Sequence, residues 1–170
     1  MHPDRQLTRV DTICKYVDSM LLKNEDDFDR RCGYVHLYGV GLTAAFLALK
    51  RGHSREYAEI AEIAGLLHDY ISYMSSEHGD EHAHKCVPII REILTTTNEF
   101  SDTEVDMICQ AVYSHSDKDK VDGELDEILK DADVMQHWLR NPMEEVFRDV
   151  DRTRALCKEL SLSETVLKIR

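Results

Sequence analysis

Apolar residues recur at every third or fourth position along most of this chain, with polar residues between them. Such a period is typical of amphipathic α-helices, and few segments show the turns of β-hairpins. The pattern predicts helices over residues 4–23, 34–50, 54–67, 81–96 and 125–139, one that begins at a capping box of Ser101 and Glu104, and one that begins at Pro142. We therefore expect an all-α bundle of seven or eight helices, folded as a single domain over residues 1–170.

Several boundaries of these helices rest on single local signals. The acidic segment 24–29 is expected to separate the first two helices, and the polar segment 72–80 to form a loop that acts as a lid. Pro88 lacks an amide donor, which predicts a kink or a late start for its helix. Asn141 is a good cap for a helix with Pro142 in its first position. The residues of that helix expected to face the core are Met143, Val146, Phe147 and Val150.

Composition and charge narrow the classes of function. With 33 acidic and 21 basic residues the net charge is −12 at pH 7, which repels nucleic acids and anionic membranes. The longest apolar run, residues 40–49, is shorter than the ~20 residues of a membrane span, and we expect no leader. The five cysteines form no CxxC pair, which favours free thiols. We expect a cytoplasmic protein that binds neither nucleic acid nor membrane.

Three histidines lie on the apolar faces of predicted helices. His68 and His115 continue the buried stripes of their helices, and His36 lies on the first turn of the most apolar one. Three buried imidazoles either each find their own hydrogen-bond partners, as ordinary core histidines do, or share one divalent cation. Asp69 and one acid of the pair Asp131 and Asp133 would complete a mixed nitrogen and oxygen site.

The order of these residues resembles the HD-domain superfamily of metal-dependent phosphohydrolases. The resemblance rests on Tyr34-Val35-His36, on the apolar run into His68-Asp69, on His115, and on Asp131-Ala132-Asp133, and covers residues 30–140. It implies that His36, His68, Asp69 and Asp133 bind a divalent transition metal, which could be manganese, iron, nickel, cobalt or zinc. On a helical wheel the two aspartates flank the apolar stripe equally. The resemblance selects Asp133, with Asp131 as a capping or supporting acid.

A second metal is an open alternative. Members of the superfamily with additional histidines bind two metals, and the resemblance offers His115 together with His82 or His84, bridged by Asp69. The other interpretation of His82 and His84 is a solvated helix start that is rich in histidine and glutamate.

The implied reaction is hydrolysis of a phosphoester by a metal-activated water. The resemblance suggests a nucleotide or a related small phosphorylated molecule as substrate. Asp69 and His115 are the candidate catalytic residues. Further candidates for proton transfer are Asp131, Glu77 and Asp80.

Basic residues that flank the proposed ligands offer contacts to phosphate. Arg31 precedes His36 and Lys118 follows His115, so each is a candidate phosphate contact. The other interpretation of either residue is an ordinary solvated loop charge.

Three alternatives remain open on the sequence. A di-iron oxygenase of the same fold requires both metals, and so requires His82 or His84 as a ligand. The second alternative is a metal-binding helical module without turnover. The third is a helical bundle whose histidines are ordinary core residues. The sequence leaves the oligomeric state open.

Overall fold

The computed structural model of the protein describes residues 7–75, 81–141, 143, 145–146 and 148–162. These residues form eight α-helices, which confirms the all-α prediction. The helices are α1 (Arg9–Leu21), α2 (Asp27–Lys50), α3 (Arg55–Leu67), α4 (Tyr70–Ser75), α5 (His82–Thr97), α6 (Asp102–Ser114), α7 (Glu124–Arg140) and α8 (Val150–Glu159).

The centre of the bundle is the packing of α2 against α3. Two glycines bring the helix backbones together: a Cβ atom built on Gly65 would lie 2.6 Å from the Cα atom of Gly41. The opposite face of the same region packs on α7, so α2 lies between two partners. This close approach places His36 of α2 beside the end of α3.

Helix α2 begins at Asp27, earlier than the sequence predicts. The Asp26 side chain accepts a hydrogen bond from the amide of Asp29 and so caps the helix. Acidic residues near a helix N-terminus also interact favourably with the helix dipole. Residues 24–26 therefore separate α1 from α2, as expected, and the rest of the acidic segment forms the first turn of α2.

Helix α2 is also long and apolar enough to cross a membrane by length and composition alone. The core helix of a soluble protein meets the same criterion, so the finding is weak. Because α2 packs against α3 and α7, its apolar character has an explanation inside the bundle.

The predicted loop over residues 72–80 is wrong in its first part. Residues 72–75 belong to α4, in which Ser72 is 2% exposed; residues 76–80 lie outside the described part.

Helix α5 has bounds close to the predicted 81–96. It begins six residues before Pro88, so of the two alternatives predicted for this proline, a kink or a late start, the late start does not occur.

The helix predicted after Asn141 is also absent among the described residues of that segment. Met143 is 71% exposed, and α8 begins only at Val150, after Asp149 in a left-handed conformation. Val146 packs against the core, as predicted. Pro142 and Phe147 lie outside the described residues.

Candidate metal centre

Four side chains from three parts of the chain converge on one point of the bundle. The Nε2 atoms of His36 and His68 are 3.1 Å apart, and Asp69 Oδ2 lies 3.4 Å from each. Asp133 Oδ1, from α7, is 3.5 Å from His36 Nε2 and 3.8 Å from His68 Nε2. The structure thus brings together all four residues that the resemblance implies as metal ligands.

A second group lies on the other side of Asp69. Asp69 Oδ1 is 2.9 Å from His82 Nε2 and 3.3 Å from His115 Nε2, and these two nitrogen atoms are 3.2 Å apart. The two oxygen atoms of one carboxylate therefore face two separate pairs of imidazoles.

Hydrogen bonds at the far side of the rings fix three of the imidazoles. Nδ1 of His68 donates to the carbonyl of Gly65, and Nδ1 of His115 donates to the carbonyl of Val112, both at 2.7 Å. Nδ1 of His36 donates to Gln136 Oε1 at 2.7 Å. In the neutral ring, a proton on Nδ1 leaves the lone pair on Nε2, which is the form that binds a metal.

Gln136 is a functional residue that the sequence analysis missed. Its Nε2 donates to the carbonyl of Val35 at 3.2 Å, which turns its Oε1 towards His36. Gly39 leaves the space for this side chain, because a Cβ atom there would lie 2.8 Å from Gln136 Cγ. The sequence signal that could have identified Gln136 is its position three residues after Asp133, which places both side chains on the same face of α7.

The arrangement fits a cation between the rings. The lone pairs of His36 and His68 point at each other across 3.1 Å, which is repulsive without a positive charge between them. Oδ1 of Asp69 and Oδ1 of Asp133 are buried and accept no hydrogen bond within the described part of the chain. Imidazoles and carboxylates together suit divalent transition metals. The residues therefore fit one or two such ions.

The charge state of the carboxylates agrees with this fit. Burial alone would raise the pKa of Asp69, but the neighbouring imidazoles hold it well below the usual range. Burial likewise opposes ionisation of Asp133, but Lys118 Nζ at 2.6 Å and the surrounding histidines hold its pKa well below that range. Burial lowers the pKa of His115, which favours its neutral form. Both acids are therefore anionic and this imidazole neutral near pH 7.

The comparison with known families agrees with the geometry. A family model described as HD domain matches residues 33–138, more than half of the chain. The chain belongs to the HD-domain family. No curated protein and no solved structure matches it significantly. HD domains are in general metal-dependent phosphohydrolases, and the matched residues include every member of the two groups around Asp69.

The two candidate aspartates of α7 in this HD domain, Asp131 and Asp133, have different partners. Both oxygen atoms of Asp131 are bound by arginines, Oδ2 by Arg51 at 2.5 Å and Oδ1 by Arg152 at 2.6 Å. Asp133 instead faces His36. Asp131 therefore holds α7 to Arg51 and to α8, and its two oxygen atoms face these arginines.

Of the two α5 histidines that the sequence offered, only one reaches Asp69. His84 is exposed and stacks on Tyr113 with ring centroids 4.0 Å apart. Because a helix turns by about 100° per residue, His82 and His84 point in nearly opposite directions. The structure thus places His82, and not His84, beside His115.

Only one of the two candidate phosphate contacts, Lys118, lies in the site. Lys118 lies in the site, where Nζ contacts Asp133 Oδ2 and the carbonyl of His115, both at 2.6 Å. Arg31 is exposed, its guanidinium lies over the ring of Phe28, and it does not line the cavity described below. The candidate acids Glu77 and Asp80 lie outside the described residues.

A cavity of about 410 Å³ opens beside the two groups. Lys118, Arg140 and Arg148 line it, although the protein as a whole is acidic. Trp138 also lines it; this side chain is 9% exposed, and its indole Nε1 has no hydrogen-bond partner among the described residues. Glu145 and Asp149 line it too, so the cavity carries both basic and acidic side chains, with an unused donor next to the candidate ligands.

Proposed function

We propose that this HD-domain protein is a phosphohydrolase that uses two divalent transition metals. His36, His68, Asp69 and Asp133 hold the first metal, and Asp69, His82 and His115 hold the second. The observation that carries the proposal is the position of Asp69, whose Oδ2 faces one pair of imidazoles and whose Oδ1 faces the other. A carboxylate with one oxygen towards each group is the bridging ligand that a two-metal site needs.

The bound ions would lower the pKa of a water and neutralise charge on the transferred phosphoryl group. The protein's own residues supply the fixed frame for this chemistry. Hydrogen bonds from Nδ1 hold the rings of His36, His68 and His115, which avoids reorganisation during the reaction. His115 acts here as a ligand, because its Nε2 faces Asp69 and its Nδ1 donates elsewhere.

The cavity supports a small anionic substrate. Lys118, Arg140 and Arg148 lie on its walls, as do Glu145 and Asp149, so the bound ions would supply its excess positive charge. Val134, Val146 and Trp138 provide apolar surface. A phosphate joined to a partly apolar body suits this combination, since charged groups hold the phosphate and apolar walls cover the body. We propose a nucleotide or a related small phosphoester as substrate.

A di-iron oxygenase is the second candidate. That function requires a second metal, and the contact of His82 with Asp69 meets the condition. The two candidates differ in their need for oxygen and for a redox-active metal. Hydrolysis proceeds without oxygen and with redox-inert zinc, whereas an oxygenase requires oxygen and iron.

The test is metal content together with turnover. We would load the protein with manganese, zinc or iron without oxygen, and assay p-nitrophenyl phosphate, bis-p-nitrophenyl phosphate and a panel of nucleotides. Two metals per chain and anaerobic release of phosphate or alcohol are expected. Asp69→Asn should lose both, and Asp106→Asn, at an aspartate whose side chain is 68% exposed, should lose neither.

Other outcomes overturn the proposal. A protein that takes up none of the metals contradicts the whole assignment. Two irons, no hydrolysis of any member of the panel, and oxygen consumption in a substrate screen would replace the hydrolase with the oxygenase.

A further inference from the structure

His137 lies at the edge of the candidate metal centre, on the last turns of α7. It follows Asp133 by four residues, so both side chains share one face of the helix. His137 Nε2 is 3.3 Å from Asp133 Oδ1, and its ring centroid is 4.8 Å from that of His36. The residue is not among the ligands that the family resemblance implies.

Asp133 Oδ1 has imidazole nitrogen atoms on three sides. The Nε2 atoms of His137, His36 and His68 lie 3.3, 3.5 and 3.8 Å from it. Two ligands that each bind one transition metal at ~2.1 Å are separated by about 3.0 to 3.4 Å at usual bond angles. The donor atoms of His36, Asp133 and His137 all lie within 4.8 Å of one another, so one ion can contact all of them.

We propose that His137 is a fifth protein ligand of the metal that His36, His68, Asp69 and Asp133 hold. This inference rests on the metal site of the proposed function and adds a residue to it. A site with five protein donors leaves little room on an octahedral ion for water or substrate. The Asp69, His82 and His115 group has three donors and so leaves more positions open.

The two metals would then have different tasks. The first is nearly closed by protein and mainly holds the shared carboxylate in place. The second lies at the cavity, which Asp69, His82 and His115 all line. Substrate oxygen would therefore bind chiefly at the second metal.

His137 also differs from the other six groups in exposure. Its side chain is 65% exposed, whereas the others expose at most 19% of theirs. A solvated imidazole at a helix end can leave an ion without disturbing the core. His137 is thus the ligand whose loss would disturb the fold least.

The experiment measures metal binding instead of turnover. His137→Ala is compared with wild type and with His84→Ala, a control at an exposed histidine outside the site. Protein loaded with two Co²⁺ ions is titrated with a chelator, and its visible absorption is recorded. The ligand role predicts at least a tenfold weaker affinity for one Co²⁺ and a stronger band, because the band intensifies as the coordination number falls. Added imidazole should restore the wild-type band in His137→Ala, and His84→Ala should match wild type.

The contrary results are distinct from a failure of the proposed function. If wild type binds two metals and His137→Ala has the same affinities and spectrum, His137 is no ligand, while the hydrolase proposal stands. If wild type binds no metal, both proposals fall. His137→Gln, which keeps a polar side chain at this position, should show the same weaker affinity; wild-type affinity in this variant would contradict the ligand role.

Discussion

His68 and His115 are held by the same kind of side-chain to backbone hydrogen bond at the ends of two different helices. Each is the C-cap residue of its helix, α3 or α6, and the Nδ1 of each donates at 2.7 Å to the carbonyl three residues earlier. Their rings meet edge to face with centroids 4.9 Å apart, and Asp69 contacts both. Two unrelated helix ends thus each direct an Nε2 lone pair at the same carboxylate.

This relationship predicts that the two metals can be lost separately. His115→Ala removes a ligand of the second group alone, so the protein should retain about one metal per chain. Asp69→Ala removes the shared carboxylate and should lose both. Elemental mass spectrometry after dialysis measures the ratio. Equal loss of both metals in His115→Ala would contradict two distinct groups.

Gln136 should act on metal binding without contacting the metal. Gln136→Leu removes the acceptor for His36 Nδ1, which frees the ring to rotate or change tautomer. Loss of such a supporting hydrogen bond typically weakens metal affinity by about 10–100-fold. Chelator competition measures the loss, and Gln136→Glu, which keeps an acceptor, should recover most of it. An unchanged affinity in the leucine variant would show that the ring needs no such support.

Gly65 should be sensitive to a single methyl group. In Gly65→Ala the new Cβ would meet the backbone of Gly41 at 2.6 Å, which forces α2 and α3 apart. We expect a loss of about 1–3 kcal/mol in the free energy of unfolding. Gly39→Ala is the matched comparison, because its Cβ meets only the side chain of Gln136. Urea denaturation measures both; Gly65→Ala as stable as wild type would contradict the close packing.

Trp138 should contribute to substrate binding through its indole N–H. Trp138→Phe keeps an aromatic ring, although a smaller one, but removes the donor that has no partner within the described residues. A lost hydrogen bond of ordinary strength, about 1 kcal/mol, would raise KM several-fold. Steady-state kinetics with the best phosphoester measure KM and kcat. A lower Tm with an unchanged KM would instead assign the indole to packing.

The pair of Glu104 and Arg9 predicts a pH dependence of stability. The hydrogen bond from Arg9 at 2.7 Å, with that from Ser101 and against the effect of burial, lowers the pKa of Glu104 from 4.5 to about 2. A carboxyl group with a depressed pKa in the folded state stabilises it above pH 4.5, and this contribution disappears as the pH falls to about 2.

The variant for this test is Glu104→Gln, which keeps the capping box of α6 but removes the charge. We expect it to be less stable than wild type by about 0.5–1 kcal/mol at pH 7, as for a partly exposed ion pair. Denaturation at a series of pH values should show the difference shrink between pH 4.5 and 2. A difference that does not vary with pH would rule out the ion pair as its cause.

The sequence predicted most of the helices well because helices depend on local periodicity, and periodicity also placed three histidines on buried faces. His68 and His115 follow apolar stripes, and the helices that carry them bury those stripes as expected. The family resemblance added Asp133, which periodicity could not separate from Asp131. The choice depends on Arg51 and Arg152, which approach Asp131 from distant parts of the chain.

Other features depend on how the helices dock and so escaped prediction. His82 and His84 are the same residue type on the same helix. Only the orientation of α5 relative to Asp69 determines which of the two contacts this carboxylate. Gln136 and His137 matter because α7 packs beside His36. The sequence analysis missed helix α4, which is only six residues long. Burial of the Tyr70 and Tyr73 side chains stabilises this short helix.

Arg152 links the loop of Lys118 to a part of the chain outside the family match. Arg152, in α8, binds Asp131 and donates to the carbonyl of Lys118 at 3.0 Å, while the match ends at residue 138. Arg140, Val146 and Arg148, which line the cavity, also follow that boundary. In the proposed function, part of the wall that would contact the substrate therefore lies in a different segment of the chain from the one that carries the proposed metal ligands.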